Sequence, residues 1–354
     1  MSDHFGQYRK DINTVYQLLG DEQSKFIYGR RLLYSLTGDE AVLQDMVDRV
    51  VRSRREWQAF RKELSEKAAR NKMVIYGAGI WGHILWEETK DIINWDLCVD
   101  AAPEGKEFPV RLWKLADFIK VYNGEYVAVS SFKNQDSMYA RLLEGGVPAE
   151  KIIHAGQAIN EMTEGSAYFD LKELGPVKEK EVFVDGGCYD GFTTRAFFQW
   201  AGKTGYAYCF EIDQENRKAI RRNLPAGNYE ILPKALWSER RTLSLAAAGN
   251  FASSVAEDVQ EGSACVEADT IDSLLWDKGV TYIKMDIEGA ELAAIKGAEK
   301  VIREQSPRLA VSIYHKPDDI FQIPALLHTF HKGYRFYLRH YSFSYYDTVL
   351  YAVT

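Results

Sequence analysis

The sequence has few of the features that mark secreted, membrane or nucleic-acid-binding proteins. Its four cysteines show no C-x-x-C spacing, which predicts reduced thiols in a reducing compartment. There is no signal-type stretch at the start and no apolar run near the roughly 20 residues of a membrane span. The formal net charge of −7 comes without a basic cluster, which argues against nucleic acid and anionic membranes as partners. These absences predict a cytoplasmic protein.

The composition is ordinary for a globular enzyme, with 46% hydrophobic and 27% charged residues. A chain of 354 residues is too long for one ordinary core and predicts two domains with an added segment. Changes in the hydrophobic and glycine pattern along the chain indicate the domain boundaries. They predict a helical segment at 1–70, a small Rossmann-like α/β domain at 71–156, a linker at 157–180 and a second α/β domain at 181–354.

The first 70 residues have a helical pattern. Apolar residues recur at helical spacing from Leu43 to Val51, and Trp57, Phe60 and Leu64 continue a similar face. These helices could cover the next domain or pair two subunits as a homodimer, and the sequence does not separate the two.

The small domain opens with a complete G-x-G-x-x-G at Gly77, Gly79 and Gly82, between a strand pattern and a helix pattern. A later strand pattern ends at Asp100, where a dinucleotide fold has its ribose-binding carboxylate. The motif predicts either a nucleotide or nucleotide-sugar pocket, or a scaffold that uses the glycines only for a tight turn.

The second domain opens on EVFVDGGCYDG, from Glu181 to Gly191, which predicts a buried strand that leads into a glycine loop. Glycines let backbone N–H groups approach a ligand, and Asp185 at the strand tip can accept its hydrogen bonds. About 20 residues on, a second apolar strand ends at Glu211, where a carboxylate can bind two ribose hydroxyls. The spacing predicts a nucleoside site and leaves both nicotinamide dinucleotides and S-adenosylmethionine open.

Four further motifs follow in order. They are NYEILPKALW at 228–237, VEADTIDSL at 266–274, KMDIEGAE at 284–291 and PRLAVSIYH at 307–315. Together with the glycine loop they resemble the FkbM family of S-adenosylmethionine-dependent methyltransferases over Lys180 to Thr354. The chain departs from the family at Ile212, where a proline is usual, and at Ser312, where a glutamate is common.

This resemblance implies a class I methyltransferase fold with S-adenosylmethionine as cofactor. Asp185, Gly187 and Gly191 would hold the methionine part, Glu211 the ribose, and the Lys234–Leu236 backbone the adenine. The full implied cofactor set is Asp185, Gly186, Gly187, Cys188, Gly191, Glu211, Ile212, Lys234, Ala235 and Asp286.

The pattern of strands agrees with that fold. Strands alternate with helices, which predicts a parallel sheet covered on both faces. The last two strands, Tyr334–Arg339 and Thr348–Val353, are joined by a short aromatic loop and must therefore run antiparallel. A parallel sheet that ends in one reversed strand is expected of class I methyltransferases.

The carboxyl ends of the strands also predict the catalytic residues. A hydroxyl acceptor needs a base, and His315 and His340 are the candidates, beside Asp286 and Glu288. Asp286, Glu288 and His315 could instead bind a divalent cation that lowers the hydroxyl's pKa. The sequence shows no metal-ligand spacing, so no metal is predicted.

The resulting prediction is a methyltransferase that acts on oxygen of a saccharide or another hydroxylated metabolite. One alternative is an NAD(P)-dependent oxidoreductase or epimerase that uses the glycine motif at Gly77. The other is a non-catalytic scaffold that binds S-adenosylmethionine or a nucleotide sugar.

Overall fold

The computed structural model describes residues 2–163, 165, 167–202, 204–225, 227–246, 254–256 and 265–354. It divides into two compact units. The larger unit comprises Met1–Met46, Tyr168–His340 and Tyr345–Thr354, and the smaller unit comprises Val47–Ala167 and Tyr341–Ser344. The first 46 residues thus belong to the same unit as most of the C-terminal half. The sequence prediction placed them in a separate segment at 1–70, because it followed local patterns alone.

The chain begins with helices α1 (Ser2–Leu18), α2 (Glu22–Thr37) and α3 (Glu40–Val47), and a π-helical turn follows at Asp48–Arg52. Asp21 caps α2, because its side chain accepts a hydrogen bond of 2.7 Å from the backbone N–H of Ser24.

The smaller unit contains a parallel sheet with helices in a Rossmann-like arrangement. Its elements are α4 (Arg55–Ala68), β1 (Met73–Tyr76), α5 (Ile80–Glu87), β2 (Trp95–Asp100), β3 (Leu112–Lys114), α6 (Leu115–Val121), β4 (Tyr126–Val129), α7 (Gln135–Glu144), β5 (Ile152–Ile153) and α8 (Ala155–Met162), with a 3₁₀ turn at Ala149–Lys151. All strand pairs are parallel, in the order β3-β2-β1-β4-β5. Strand β3 has no counterpart in the sequence prediction.

The larger unit alternates strands and helices. Its elements are β6 (Val182–Gly186), α9 (Phe192–Ala201), β7 (Tyr206–Phe210), α10 (Gln214–Asn223), β8 (Tyr229–Leu232), β9 (Ala235–Leu236), β10 (Arg241–Ala246), β11 (Ser254–Ala256), β12 (Cys265–Asp269), α11 (Ile271–Leu275), β13 (Tyr282–Met285), α12 (Glu291–Lys296), α13 (Glu299–Gln305), β14 (Arg308–Ser312), α14 (Asp319–Phe330), β15 (Arg335–His340) and β16 (Thr348–Val353), with 3₁₀ turns at Lys172–Leu174 and Trp276–Lys278.

The main sheet of the larger unit has the order β15-β16-β14-β13-β6-β7-β8. The pairs from β14 to β8 are parallel, and β16 is antiparallel to both of its neighbours. The predicted terminal hairpin and the α/β fold class are therefore confirmed. Because β6 and β14 both pair with β13, the loops that follow these three strands meet at one edge.

A second sheet was not predicted. Strands β9 to β12 form it in the order β11-β10-β12-β9. The motif at 228–237 is consequently divided between two sheets, since β8 belongs to the main sheet and β9 to the second.

Helices α1 and α2 cover the edge strand β15 of the main sheet. The backbone N–H of Gly20 donates to the carbonyl of Phe336 at 2.8 Å, and Leu338 N–H donates to Ser24 Oγ at 2.9 Å. Arg339 also forms an ion pair of 2.7 Å with Asp21. An uncovered edge strand would present unpaired backbone groups to other chains, and these helices prevent that. Pairing of two subunits through them stays a prediction.

Candidate active site

The glycine loop after β6 packs directly on the loop after β13. Gly187 has a φ of 74°, and a Cβ at this position would lie 1.9 Å from the carbonyl oxygen of Asp286. Only glycine fits there, because any side chain would separate the two loops. Gly191, with a φ of 83°, then begins α9. The residues around Gly187 and Asp286 are thus neighbours in space, as the sheet order requires.

A buried lysine holds this loop in place. Lys284 on β13 donates to the carbonyl oxygens of Gly186 at 3.1 Å and Gly187 at 2.8 Å. It also lies 3.1 Å from the carboxylate of Asp185, which accepts a further hydrogen bond of 2.7 Å from Thr194. Burial lowers the pKa of Lys284, but the carboxylates of Asp185 and Asp286 raise it more, so it stays charged.

Asp185 has contacts within the protein beside the methionine-binding role that the resemblance implies, and that role stays a prediction. Its side chain is fully buried; one oxygen accepts a hydrogen bond from Thr194, and the other lies 3.1 Å from Lys284 Nζ. It therefore orients the glycine loop through Lys284 and Thr194. The sequence prediction missed Lys284 as a functional residue, although a lysine inside the apolar strand pattern of KMDIEGAE was a visible signal.

Glu211 stands at the end of β7, beside the glycine loop. Its carboxylate accepts hydrogen bonds from the backbone N–H groups of Tyr189 and Asp213, both at 2.8 Å. Burial raises the pKa of Glu211, and the two backbone bonds together with a hydrogen bond from the Asn216 side chain offset the rise only in part. Each carboxylate oxygen has a second lone pair, so hydroxyl groups of a ligand can still bind.

The remaining cofactor candidates contribute differently. Cys188 and Ala235 have buried side chains, which leaves their backbones to line a ligand. Lys234 forms an ion pair of 2.8 Å with Asp269, and Ile212 packs against the second sheet.

His315 is the centre of an acidic cluster at the same edge. Its Nδ1 atom lies 3.0 Å from Glu291, and its Nε2 atom lies 3.3 Å from Glu288 and 3.7 Å from Asp286. Burial lowers the pKa of His315, but the hydrogen bonds to Glu288 and Glu291 and the charge of Asp286 outweigh it and raise the pKa to about 10. Sequence reasoning found Asp286, Glu288 and His315 but missed Glu291, the last residue of its own motif.

Two tyrosines also bind Asp286. Tyr314 donates a hydrogen bond of 3.0 Å and Tyr168 one of 3.3 Å. Tyr346 is 63% exposed, and its ring centroid lies 5.8 Å from that of Tyr314. Tyr168 falls in the stretch predicted as a linker, where no pattern in the sequence pointed to it.

His340 lies elsewhere. It is fully buried at the end of β15, and its Nδ1 atom lies 2.8 Å from the hydroxyl of Thr348 on β16. A side chain enclosed between two strands is poorly placed to reach a substrate, so the structure favours His315 of the two predicted bases.

The glycine motif of the smaller unit has a different environment. The carboxylate of Asp100 accepts hydrogen bonds from the backbone of Ala78 at 2.8 Å and of Ala102 at 2.9 Å, and from Lys106 at 2.8 Å. A Cβ on Gly82 would lie 2.0 Å from the carbonyl oxygen of Gly77, so this glycine serves the close packing of helix on loop. The carboxylate expected to bind a ribose is thus engaged by its own loop.

The strand order, the glycine loop and the carboxylate at Glu211 together define a class I methyltransferase. A family model described as "Methyltransferase FkbM domain" matches residues 185–345. Residues 185–345 therefore match the FkbM methyltransferase domain, for which S-adenosylmethionine is the expected cofactor.

Several solved structures are similar to the chain. A methyltransferase FkbM from Methylobacillus flagellatus KT is 17% identical over 82% of this chain and 92% of its own, with a TM-score of 0.45. Fibrillarin from Aeropyrum pernix, in complex with natively bound S-adenosyl-L-methionine, is 11% identical over 54% of this chain and 72% of its own, with a TM-score of 0.34. A SAM-dependent methyltransferase from Aquifex aeolicus is 16% identical over 55% and 96%, with a TM-score of 0.31. No curated protein matches the chain.

The residues present fit this cofactor. Glu211 offers a buried carboxylate for the ribose, and Gly187 lets the backbone of the glycine loop lie directly against Asp286. Among the described residues, no helix combines the length and apolar character needed to cross a membrane.

Proposed function

We propose that the protein transfers a methyl group to a hydroxyl oxygen of a saccharide or another hydroxylated metabolite. The observation that carries this proposal is the contact between the two loops. Gly187 of the cofactor loop packs on Asp286, and Asp286 belongs to the cluster around His315. An acceptor bound at the cluster would therefore lie beside the cofactor, as methyl transfer requires.

The cluster suits a hydroxyl acceptor, whose proton must be removed during the reaction. When bound, S-adenosylmethionine supplies an activated methyl group, and the new carbon–oxygen bond replaces the carbon–sulfur bond. Asp286, Glu288 and His315 bind and orient the acceptor hydroxyl, and its proton passes to this cluster. Glu291 fixes the orientation of His315 through Nδ1.

Aromatic side chains near the cluster support a saccharide. The ring centroids of Tyr314 and His315 are 4.1 Å apart, and Tyr346 exposes its ring next to Tyr314. Exposed aromatic faces of this kind pack well on the apolar face of a sugar ring.

The replacement His315→Gln tests the proposal. Because a pKa of about 10 keeps His315 protonated near neutral pH, it orients the acceptor hydroxyl beside the carboxylates that take the proton. Misplacing a reacting group can cost about 10²-fold, so turnover should fall about a hundredfold while the affinity for S-adenosylmethionine stays within about twofold. Transfer of a labelled methyl group to a panel of sugars, nucleotide sugars and polyols gives the rate, and calorimetry gives the affinity. Methylation of amines or carbon acids but of no hydroxyl in the panel would contradict the acceptor class, as would near wild-type turnover in the variant.

A further inference from the structure

The acidic cluster holds more carboxylate than its cations can pair. Asp286, Glu288 and Glu291 all approach His315, and Asp319 at the start of α14 adds a fourth carboxylate that is 2% exposed. Burial, with a further contribution from the charge of Glu291, raises the pKa of Asp319 to about 7. The neighbouring cations are Lys316, which is exposed, and Lys284, which is engaged by the glycine loop.

Two buried oxygen atoms of this cluster lack a hydrogen-bond partner within the described residues. Glu291 is fully buried; its Oε1 atom accepts from Ile287 N–H at 2.8 Å, while its Oε2 atom has no partner. Asp319 Oδ2 is in the same state. Leaving buried carboxylate oxygens without donors is costly, because they have lost water and gained no replacement. Such atoms point to a cation that binds there.

We propose that Asp286, Glu291 and His315 bind a divalent metal ion. Each residue offers one ligand atom, and these atoms lie within 4.8 Å of one another. Ligand atoms about 2.1 Å from one ion stand roughly 3–4 Å apart, so small side-chain rotations complete the site. One imidazole with two carboxylates suits Mn²⁺, Fe²⁺ or Zn²⁺.

The metal would also help to activate the acceptor hydroxyl for methyl transfer. This part of the inference rests on the proposed function. A divalent cation beside the acceptor acts as a Lewis acid and lowers the pKa of a bound hydroxyl. His315 then serves as a ligand. The hydroxyl proton passes to Glu288, whose side chain is 34% exposed and lies 3.3 Å from His315 Nε2.

Direct metal binding tests the site without any need for a substrate. The full chain is stripped with chelator and titrated with Mn²⁺ in the presence of S-adenosylmethionine, and free Mn²⁺ is followed by electron paramagnetic resonance. We expect one ion per chain. Asp286→Asn and Glu291→Gln should each weaken binding at least about tenfold, because even loss of a residue that only supports a metal ligand costs about 10–100-fold. Glu215→Gln, which removes an exposed carboxylate on α10, is the matched control and should change nothing.

Asp286→Asn keeps the test decisive if Glu291→Gln does not fold, because Asp286 is partly exposed and the amide retains its shape. No stoichiometric binding of Mn²⁺, and none of Zn²⁺ in a competition arm, would overturn the metal site. Binding that survives Asp286→Asn unchanged would place the ion elsewhere and overturn it as well. Methylation of a hydroxyl by enzyme kept in chelator would contradict the role of the metal in the reaction and would leave the proposed function standing. Mn²⁺ binding without methylation of any hydroxyl would support the metal site and contradict the proposed function.

Discussion

The two units contain the same local pattern, a strand, a glycine loop, a helix and a carboxylate at the end of the next strand, but they use it differently. In the smaller unit Lys106 pairs with Asp100. Burial raises the pKa of Asp100, and the bonds from Lys106, Ala78 and Ala102 lower it below the ordinary value. In the larger unit Glu211 accepts backbone N–H groups, and burial leaves its pKa raised. The comparison shows that Asp100 is paired with a cation of its own loop, whereas Glu211 is held by uncharged donors and keeps its negative charge for the hydroxyls of a ribose.

The largest expected effect concerns the lysines of the two loops. Lys284 and Asp185 are 2% and 0% exposed, so Lys284→Met would leave a buried carboxylate unpaired at a cost of about 3–5 kcal/mol. Lys106 is 40% exposed, and Lys106→Met should cost at most about 1 kcal/mol. Denaturant unfolding of both variants measures the difference. Equal losses of stability in the two variants would show that both lysines contribute alike, and would contradict the difference between the two units.

A second effect concerns the protonation of His315. The pKa of His315 is raised from 6.5 to about 10, so its stabilising contribution is fully present below pH 6.5 and is lost as the pH rises through about 10. In chelator, the melting temperature of the wild type should fall between pH 7 and pH 10, by about 2–4 °C for each kcal/mol of stability that is lost. His315→Gln should lose less over the same interval. Parallel curves for the two proteins would contradict the raised pKa.

The smallest effect has the opposite sign and concerns Asp319. Its pKa is raised from 3.8 to about 7, so its burial destabilises the protein increasingly as the pH rises from 3.8 to about 7. In chelator, Asp319→Asn should therefore melt higher than the wild type at pH 8 and equally at pH 4. Asp318→Asn, one residue earlier and exposed, is the matched control for removing a carboxylate from this end of α14.

Much of the fold follows from local patterns in the sequence. The apolar strands that end in polar residues predict the parallel sheet, and the short loop before Thr348 predicts the reversed strand. The second sheet escaped prediction because β9 has two residues and β11 has three, which is too short for a period of two to be seen. The covering of β15 by α1 and α2 joins residues more than 300 positions apart, and no local pattern encodes that contact.

The positions of the candidate site residues follow from the sequence in part, for a related reason, and their roles stay predictions. Strand ends indicated Glu211, Asp286 and His315, because parallel strands bring their carboxyl ends to one edge. Whether an acidic side chain faces the ligand or the core depends on its partners. Asp185 faces Lys284, a residue almost 100 positions later, and Asp100 faces Lys106. Those pairings appear only in the folded chain.

Calorimetric titration with S-adenosylmethionine of the wild type, Glu211→Ala and Asp100→Ala tests the central claim most directly. Each charge-assisted hydrogen bond to a ribose hydroxyl contributes about 1.5–3 kcal/mol, so Glu211→Ala should weaken binding at least about tenfold. Asp100→Ala should leave the affinity within about twofold, because that carboxylate serves its own loop in the smaller unit. Binding that survives Glu211→Ala and disappears with Asp100→Ala would place the cofactor in the smaller unit and contradict the account.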